Sequence, residues 1–239
     1  MCGRFAQMIE LEELMRSINL HVGMPTVDSQ VPALLKSNQI FPTHHCVVAM
    51  RRNGNIVIGE AAFGHKLHSL DTSKSPKMVI NARVETVVYK PLFKYALQQT
   101  RCVVPVSGYY EWKDPGTGKK SPYFIHPRSR NIGFLAGLLV YATSNTYPSL
   151  VIITKESTST HMRGLHPREP LHLSLTHLDS WLSDSPISKD HLYAVSNTSE
   201  IELEVTPATR ACFDGHSESS PYPSDRHADD NTTEQLRLF

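Results

Sequence analysis

The sequence lacks long apolar runs. Its longest apolar stretches, 132–141 and 150–153, are far shorter than the roughly 20 residues that cross a bilayer. A secretory signal peptide is not expected either, because acidic residues at 10, 12 and 13 fall where its apolar core would lie. We therefore predict a cytoplasmic protein without a membrane partner.

Cysteine is scarce, and its spacing excludes two common scaffolds. The 4 cysteines among 239 residues include no Cys-x-x-Cys pair, so neither a disulfide framework nor a thiolate zinc site is predicted. Cys46 and Cys102 lie in apolar runs and are expected to be inert core thiols. His44, His45 and Cys46 are possible metal ligands, but neighbouring residues on a strand point to opposite faces of the sheet, so these three are not expected to converge on one metal ion. No metal, no glycine-rich phosphate loop and no other cofactor is predicted.

Charge is distributed unevenly along the chain. The net charge is only +1, yet 36–168 carries 18 basic and 6 acidic residues, while the segments on either side are acidic. A local basic excess of this kind attracts phosphates, although it is also compatible with an ordinary solvated surface. The 13 histidines add positive charge as the medium acidifies, so anion binding should strengthen in mild acid.

Periodicity predicts mostly strands with a few short helices. Apolar residues at helical spacing over 11–18 indicate one amphipathic helix. Asn53-Gly54 between β-prone runs predicts a hairpin with two arginines at its tip. Thr176, with an aspartate three residues later, predicts a capped helix through Leu182, and 115–120 is read as a loop with a basic pair. Further strands are predicted at 79–80, 102–106, 109–112, 123–125, 134–141, 150–154, 171–173 and 201–205.

Cys2 has the chemistry of a 1,2-aminothiol once Met1 is trimmed, as is usual before a small residue. The free α-amine and the thiol ordinarily titrate at about pH 8 and 8.5, so an appreciable fraction of each is nucleophilic near neutral pH. With an aldehyde, the amine forms a Schiff base and the thiol then closes a five-membered thiazolidine. A cysteine at this position is chemically idle in most proteins, so the surrounding motifs decide its interpretation.

Four short motifs occur in a distinctive order. They are MCGRFA at 1–6, INARVET at 80–86, GYYEWK at 108–113 and LHPREP at 165–170. Together they resemble the SRAP family, the SOS-response-associated peptidase domains, which are abasic-site processing proteins that crosslink to single-stranded DNA. The resemblance implies an α+β SRAP domain at 1–213 with a mostly antiparallel, barrel-like sheet core. From about Asp214 the composition is polar, so 214–239 is predicted to be a disordered tail.

The resemblance also implies roles for individual residues. Cys2 matches the nucleophile, and Asn81 matches the residue that orients this cysteine and the sugar. Glu111 matches the carboxylate that assists sugar ring opening and proton transfer, and its strand position favours an apolar pocket. His166 matches the histidine that shuttles a proton during Schiff-base formation. The positions that match DNA contacts are Arg4, Arg83, Trp112 and Arg168.

Three segments depart from the family pattern. The family carries Trp-Gly-x-x-Pro-x-Trp where this chain reads FGHKLHS at 63–69, so the Pro and the second Trp are missing. His65, Lys66 and His68 could replace stacking with charge. The usual Asn-x-x-Pro-Thr appears as QIFPT at 39–43, and the usual ending of the domain is only echoed at 205–207. Because the chemical residues are all present, these departures imply altered DNA engagement.

The sequence thus predicts a monomeric protein that captures abasic sites in single-stranded DNA through a thiazolidine at Cys2. One alternative is a cysteine-type (auto)peptidase in which His166 is the base and Glu111 orients it. A second is a non-catalytic module that binds DNA through the basic middle segment alone.

Overall fold

The computed structural model describes residues 2–67, 75–114, 116, 118, 120–128, 132–142, 146–198 and 201–208. The described helices are α1 Leu11–Asn19, α2 Val31–Leu34, α3 Pro91–Gln99, α4 Thr160–Leu165, α5 Leu178–Leu182 and α6 Lys189–Asn197. The strands before α3 are β1 Phe5–Met8, β2 Thr26–Val27, β3 Lys36–Ile40, β4 His45–Arg52, β5 Asn55–Phe63, β6 His65–Leu67, β7 Lys77–Val79 and β8 Asn81–Arg83. Those after it are β9 Arg101–Val106, β10 Gly108–Lys113, β11 Ser121–Pro127, β12 Gly133–Val140, β13 Ser149–Glu156, β14 Arg168–Pro170 and β15 Leu203–Pro207.

Two sheets form the centre of the molecule. The smaller sheet has the strand order β15-β11-β10-β1-β3, and its neighbours pair antiparallel. The larger sheet runs β14-β13-β12-β9-β4-β5-β2, and parallel pairing of β13 with β5 closes its central strands into a ring. The predicted α+β class with a mostly antiparallel, barrel-like sheet and few short helices is therefore confirmed.

The ring sheet is buried on both faces. Successive side chains of a strand point to opposite faces. On β4, Val47 and Ala49 pack in the cluster that includes the helices, whereas Cys46 and Val48 pack in the cluster that faces the smaller sheet. Burying each such aliphatic side chain contributes about 1.5–3 kcal/mol. Cys46 and Cys102 are fully buried thiols, as predicted, and burial raises the pKa of both.

Gln7 fastens the N-terminal strand to the ring. Its side chain is fully buried, and Nε2 donates to the carbonyls of Val47 and Pro105, each at 2.8 Å. Its Oε1 accepts from the Val47 amide at 2.8 Å. Phe5, two residues earlier, pairs with Tyr109 of β10. Strand β1 is thus held by both sheets, and the first residues of the chain lie between them.

Local signals in the sequence are confirmed, with corrections. Helix α1 covers the predicted 11–18, and Asn53 and Gly54 adopt φ of 52° and 78° at the tip of the β4–β5 hairpin, as its turn requires. Arg51 and Arg52 flank this turn, as predicted, and Arg51 also donates to the Leu182 carbonyl at 3.0 Å. Thr176 does not cap a helix, because α5 begins at Leu178 and has no side-chain cap.

The strand predicted at 171–173 is wrong. The amide of Leu171 donates to Ile153 of β13, whereas that of Leu173 donates to Phe134 of β12. The segment therefore crosses from one strand to the next, and its strand pairing is reduced to one antiparallel bridge between His172 and Leu135 of β12. The predicted tail at 214–239, Cys212 and half of the loop at 115–120 lie outside the described residues. No described helix is long and apolar enough to span a membrane.

Candidate active site

Cys2 is buried in the core between the two sheets. Its exposed fraction is 0%, and its carbonyl oxygen accepts a hydrogen bond from Asn81 Nδ2 at 3.2 Å. Asn81 is placed by β8, which pairs parallel with β13 at Ile152. Within the described residues, the Asn81 Oδ1 is buried and has no hydrogen-bond partner. Asn81 thus holds the main chain of Cys2 and presents a second polar atom within the same buried region.

Glu111 acts electrostatically on the Cys2 thiol. It is 4% exposed on β10. Burial and, secondly, the charge of Glu111 raise the pKa of the Cys2 thiol well above its ordinary range. The sequence predicted an appreciable thiolate fraction near neutral pH once Met1 is removed; in the chain that still carries Met1, desolvation and a nearby carboxylate instead favour the protonated thiol. Any reaction through this sulfur needs a proton acceptor.

His166 caps the C-terminal end of α4 beside this region. Met162 and Leu165 of α4 pack in the same apolar cluster as Cys2. His166 Nδ1 lies 3.0 Å from the Arg168 amide, which donates to it in one tautomer, and 2.9 Å from the Arg168 carbonyl, which accepts from it in the other. The imidazole is therefore oriented by the main chain of its own loop. The structure joins Asn81 to Cys2 by a hydrogen bond, brings Glu111 near enough to act electrostatically on the thiol, and anchors His166 on the adjoining helix end.

Three arginines line an open cleft next to His166. The cleft has a volume of about 690 Å³ and is lined by Arg83, Glu156, Ser157, Arg163, Pro167 and Arg168. Arg163 was not predicted as a site residue. Its Nε and a terminal nitrogen donate to the carbonyls of Ser157 and Thr158, each at 2.9 Å, so its guanidinium is held in place. Planar guanidinium groups suit phosphate oxygens, which makes the cleft suited to an anionic ligand.

Arg168 is part of a structural ion pair. Its two terminal nitrogens contact the Glu85 carboxylate at 3.2 and 3.0 Å, and one of them also donates to the Thr154 carbonyl at 2.8 Å. A phosphate at Arg168 would therefore share this guanidinium with Glu85. Arg83 is exposed and projects at the end of β8, two residues after Asn81.

Arg4 lies between two aromatic rings. Its guanidinium carbon is 5.2 Å from the Trp112 ring centroid and 5.5 Å from that of Phe41, and one nitrogen donates to Gln39 Oε1 at 2.9 Å. Phe41 is 39% exposed. The sequence analysis missed Phe41, although an aromatic residue before a proline in a polar loop was a visible signal. The three side chains form a cation–π stack at the surface.

The segment that departs from the family pattern offers little stacking surface. Phe63 is fully buried and packs edge-on against Phe5, with centroids 5.2 Å apart. Of the residues predicted to contribute charge instead, Lys66 is exposed and His65 is half-buried. His68 lies outside the described residues.

These features define a barrel-like α+β protein whose N-terminal cysteine is buried beside an amide and a carboxylate, next to an arginine-lined cleft. The family model described as SOS response associated peptidase (SRAP) matches residues 1–213. The chain belongs to the SRAP family. It is 28% identical over 198 residues to the abasic site processing protein YoaM of Bacillus subtilis, which covers 82% of this chain and 85% of that protein.

Other relatives agree with this assignment. The abasic site processing protein YedK of Escherichia coli is 26% identical over 192 residues, covering 80% of this chain and 83% of that protein. A crystal structure of a Bacteroides thetaiotaomicron protein shares the fold, with a TM-score of 0.71 at 20% identity over 92% of this chain and 96% of that chain.

Proposed function

We propose that this protein processes abasic sites in single-stranded DNA by forming a covalent thiazolidine between Cys2 and the aldehyde of the opened sugar. The observation that carries this proposal is the burial of Cys2 with its main chain held by Asn81 and with Glu111 acting on its thiol. The names of the relatives, abasic site processing proteins, support the choice of substrate.

The proposed reaction has two bond-forming stages. The α-amine attacks the C1′ aldehyde carbon, and the resulting carbinolamine loses water to give an imine. The Cys2 sulfur then adds to the imine carbon while its proton leaves and the nitrogen gains one, which closes the ring. Glu111 is placed to accept or donate a proton, and His166 is the proposed shuttle during imine formation. Asn81 orients the nucleophile.

The protonation state of the thiol favours this reaction over peptidase chemistry. Cysteine peptidases commonly activate their thiol by lowering its pKa beside a histidine or a helix N-terminus. Here burial and the Glu111 charge raise that pKa. A thiol that attacks second, within an imine already formed on its own residue, does not require a standing thiolate.

The surface around the site supports contact with a nucleic acid strand. Arg83 and Arg163 in the cleft offer charge to phosphates. The Phe41–Arg4–Trp112 stack, which the His44 ring extends at 3.5 Å from the Phe41 ring centroid, offers partly exposed aromatic surface against which an unpaired base can stack. Accessible base faces occur in single strands, which is why we propose single-stranded DNA as the partner.

The test is a denaturing gel of purified protein mixed with a single-stranded oligonucleotide that carries one abasic site. Intact mass first establishes that Met1 is absent. Cys2→Ala removes the thiol, Cys2→Ser keeps the amine with a poor ring-closing group, and Cys46→Ala is the matched control at another buried cysteine. Protein with an acetylated α-amine completes the set.

We expect a heat-stable shifted band with the unmodified protein and with Cys46→Ala, and none with Cys2→Ala, the acetylated protein or an intact oligonucleotide. Cys2→Ser should be captured only when borohydride reduces its imine. If the protein lacking Met1 forms no band, the crosslinking function is wrong. Retained DNA affinity would then favour a binding module, and thiol-dependent cleavage by the acetylated protein would favour a peptidase.

A further inference from the structure

Tyr109 is a buried side chain beside Cys2 to which no role has yet been given. Its exposed fraction is 0%, and it packs in the same core cluster as Cys2. Within the described residues, its hydroxyl has no hydrogen-bond partner. A buried hydroxyl without a partner lowers stability by about 1–3 kcal/mol, so a group of this kind points to a role other than stability.

Strand geometry places Tyr109 on the reactive side of β10. Tyr109 and Glu111 are two residues apart and therefore share one face. Tyr110 and Trp112 point to the other face, where they pack with Phe124. Tyr109 also pairs directly with Phe5, three residues after Cys2.

Acidic groups surround the phenol. Burial raises the pKa of Tyr109 well above its ordinary value, and the charges of Glu169 and, to a smaller extent, Glu111 raise it further. The His172 ring lies 5.6 Å away, centroid to centroid. The phenol therefore remains protonated at every physiological pH, and its hydroxyl can act as a hydrogen-bond donor but not as a base.

We propose that Tyr109 is a further catalytic residue of this site, whose hydroxyl donates a hydrogen bond to the Cys2 sulfur while the thiazolidine ring closes. This inference rests on the proposed function. As the thiol proton leaves, negative charge develops on sulfur in a buried pocket next to Glu111, where it is costly. A donor aimed at that sulfur stabilises the charge until the carbon–sulfur bond has formed and the proton has reached the nitrogen. The phenol keeps its own proton throughout.

The experiment compares Tyr109→Phe with Tyr110→Phe. Both remove one hydroxyl and leave the ring, but they act on opposite faces of one strand. The Tyr110 hydroxyl donates to the Asn38 carbonyl at 3.1 Å and belongs to no proposed chemistry. Two rates and one stability are measured on full-length protein. The rates are those of imine capture with borohydride present and of heat-stable crosslink formation without reductant, and the stability is the melting temperature.

For Tyr109→Phe we expect imine capture within about twofold of the unmodified protein, a heat-stable crosslink that forms about tenfold more slowly, and an unchanged or higher melting temperature. Tyr110→Phe should keep both rates and melt at a lower temperature, because it loses a made hydrogen bond. A slower ring closure without a loss of stability in Tyr109→Phe, and the reverse in Tyr110→Phe, is not the result of a purely structural role for the Tyr109 hydroxyl.

Three results would overturn the assignment of Tyr109. One is ring closure in Tyr109→Phe as fast as in the unmodified protein. Another is an equal loss of imine capture and ring closure, which would place the hydroxyl in substrate binding. The third is a Tyr109→Phe protein that is less stable than Tyr110→Phe or does not fold, which would show that the hydroxyl has a structural partner. Absence of any crosslink in the unmodified protein is a separate outcome and refutes the proposed function.

Discussion

His172 is expected to limit the stability of this protein in mild acid. Its imidazole is 4% exposed, and burial together with the charge of Lys155 lowers its pKa to about 3. In the unfolded chain the same group titrates near pH 6.5. Below that pH the unfolded state binds a proton that the folded state does not bind until the pH nears 3, so acidification favours unfolding. The loss is about 1.4 kcal/mol per pH unit, or about 2 kcal/mol at pH 5.

Urea unfolding of three proteins at about pH 7.5 and about pH 5 tests this magnitude. His172→Gln removes the buried imidazole, and His191→Gln removes an exposed one on α6 as the matched control. Glu169 has a burial-raised pKa that works in the opposite direction, so differences between variants are compared rather than absolute values. His172→Gln should lose about 2 kcal/mol less on acidification than the other two. Equal losses in all three proteins would refute the reasoning.

Three further changes have defined outcomes. Phe41→Ala should weaken binding of an intact single-stranded oligonucleotide about tenfold, measured by fluorescence anisotropy, because it disrupts the aromatic surface against which a base can stack. Tyr141→Ala, at another exposed aromatic residue, should not weaken it. Arg168→Lys should lower stability by about 1 kcal/mol, since lysine cannot make the two-point contact with Glu85; an unchanged melting temperature would contradict this. Arg101→Met should lower the free energy of unfolding in urea by about 3 kcal/mol, because it leaves the buried carbonyls of Trp181 and Leu97 without their donor. An unchanged midpoint would show that water replaces the guanidinium.

Elements encoded by short-range signals were predictable from the sequence. Helix α1 has its apolar residues on one face, and the turn of the β4–β5 hairpin is specified by Asn53 and Gly54. Helices α4 and α6 were missed although Ser159 and Ser188 cap them, because no glutamate or glutamine follows three residues later to complete the capping pattern. The strand predicted at 171–173 was inferred from its leucines. These side chains are buried, but burial alone does not specify pairing with one neighbouring strand.

The site residues that lie within the sequence motifs were predictable. The resemblance singled out Cys2, Asn81 and Glu111, which the structure brings together. It contained no sign that Lys155 and Glu169 form a buried ion pair with a 3.7 Å separation, since charged residues on strands are usually exposed. The burial that keeps the Cys2 thiol protonated was equally invisible, because it arises from packing between strands distant in sequence.

The buried thiol and the proposed order of bond formation explain each other. A neutral thiol is a weak nucleophile toward a free aldehyde, so the amine must attack first. Once the imine has formed on the same residue, sulfur and carbon are held in one small ring-forming unit, and reactions held together in this way reach effective concentrations of about 10⁵ M or more. That advantage outweighs a low thiolate fraction, and it depends on Cys2 remaining fixed. Gln7 fastens β1 to the ring, and Asn81 reaches across from β8 to hold the Cys2 carbonyl. The packing of the two sheets is therefore part of the proposed chemistry.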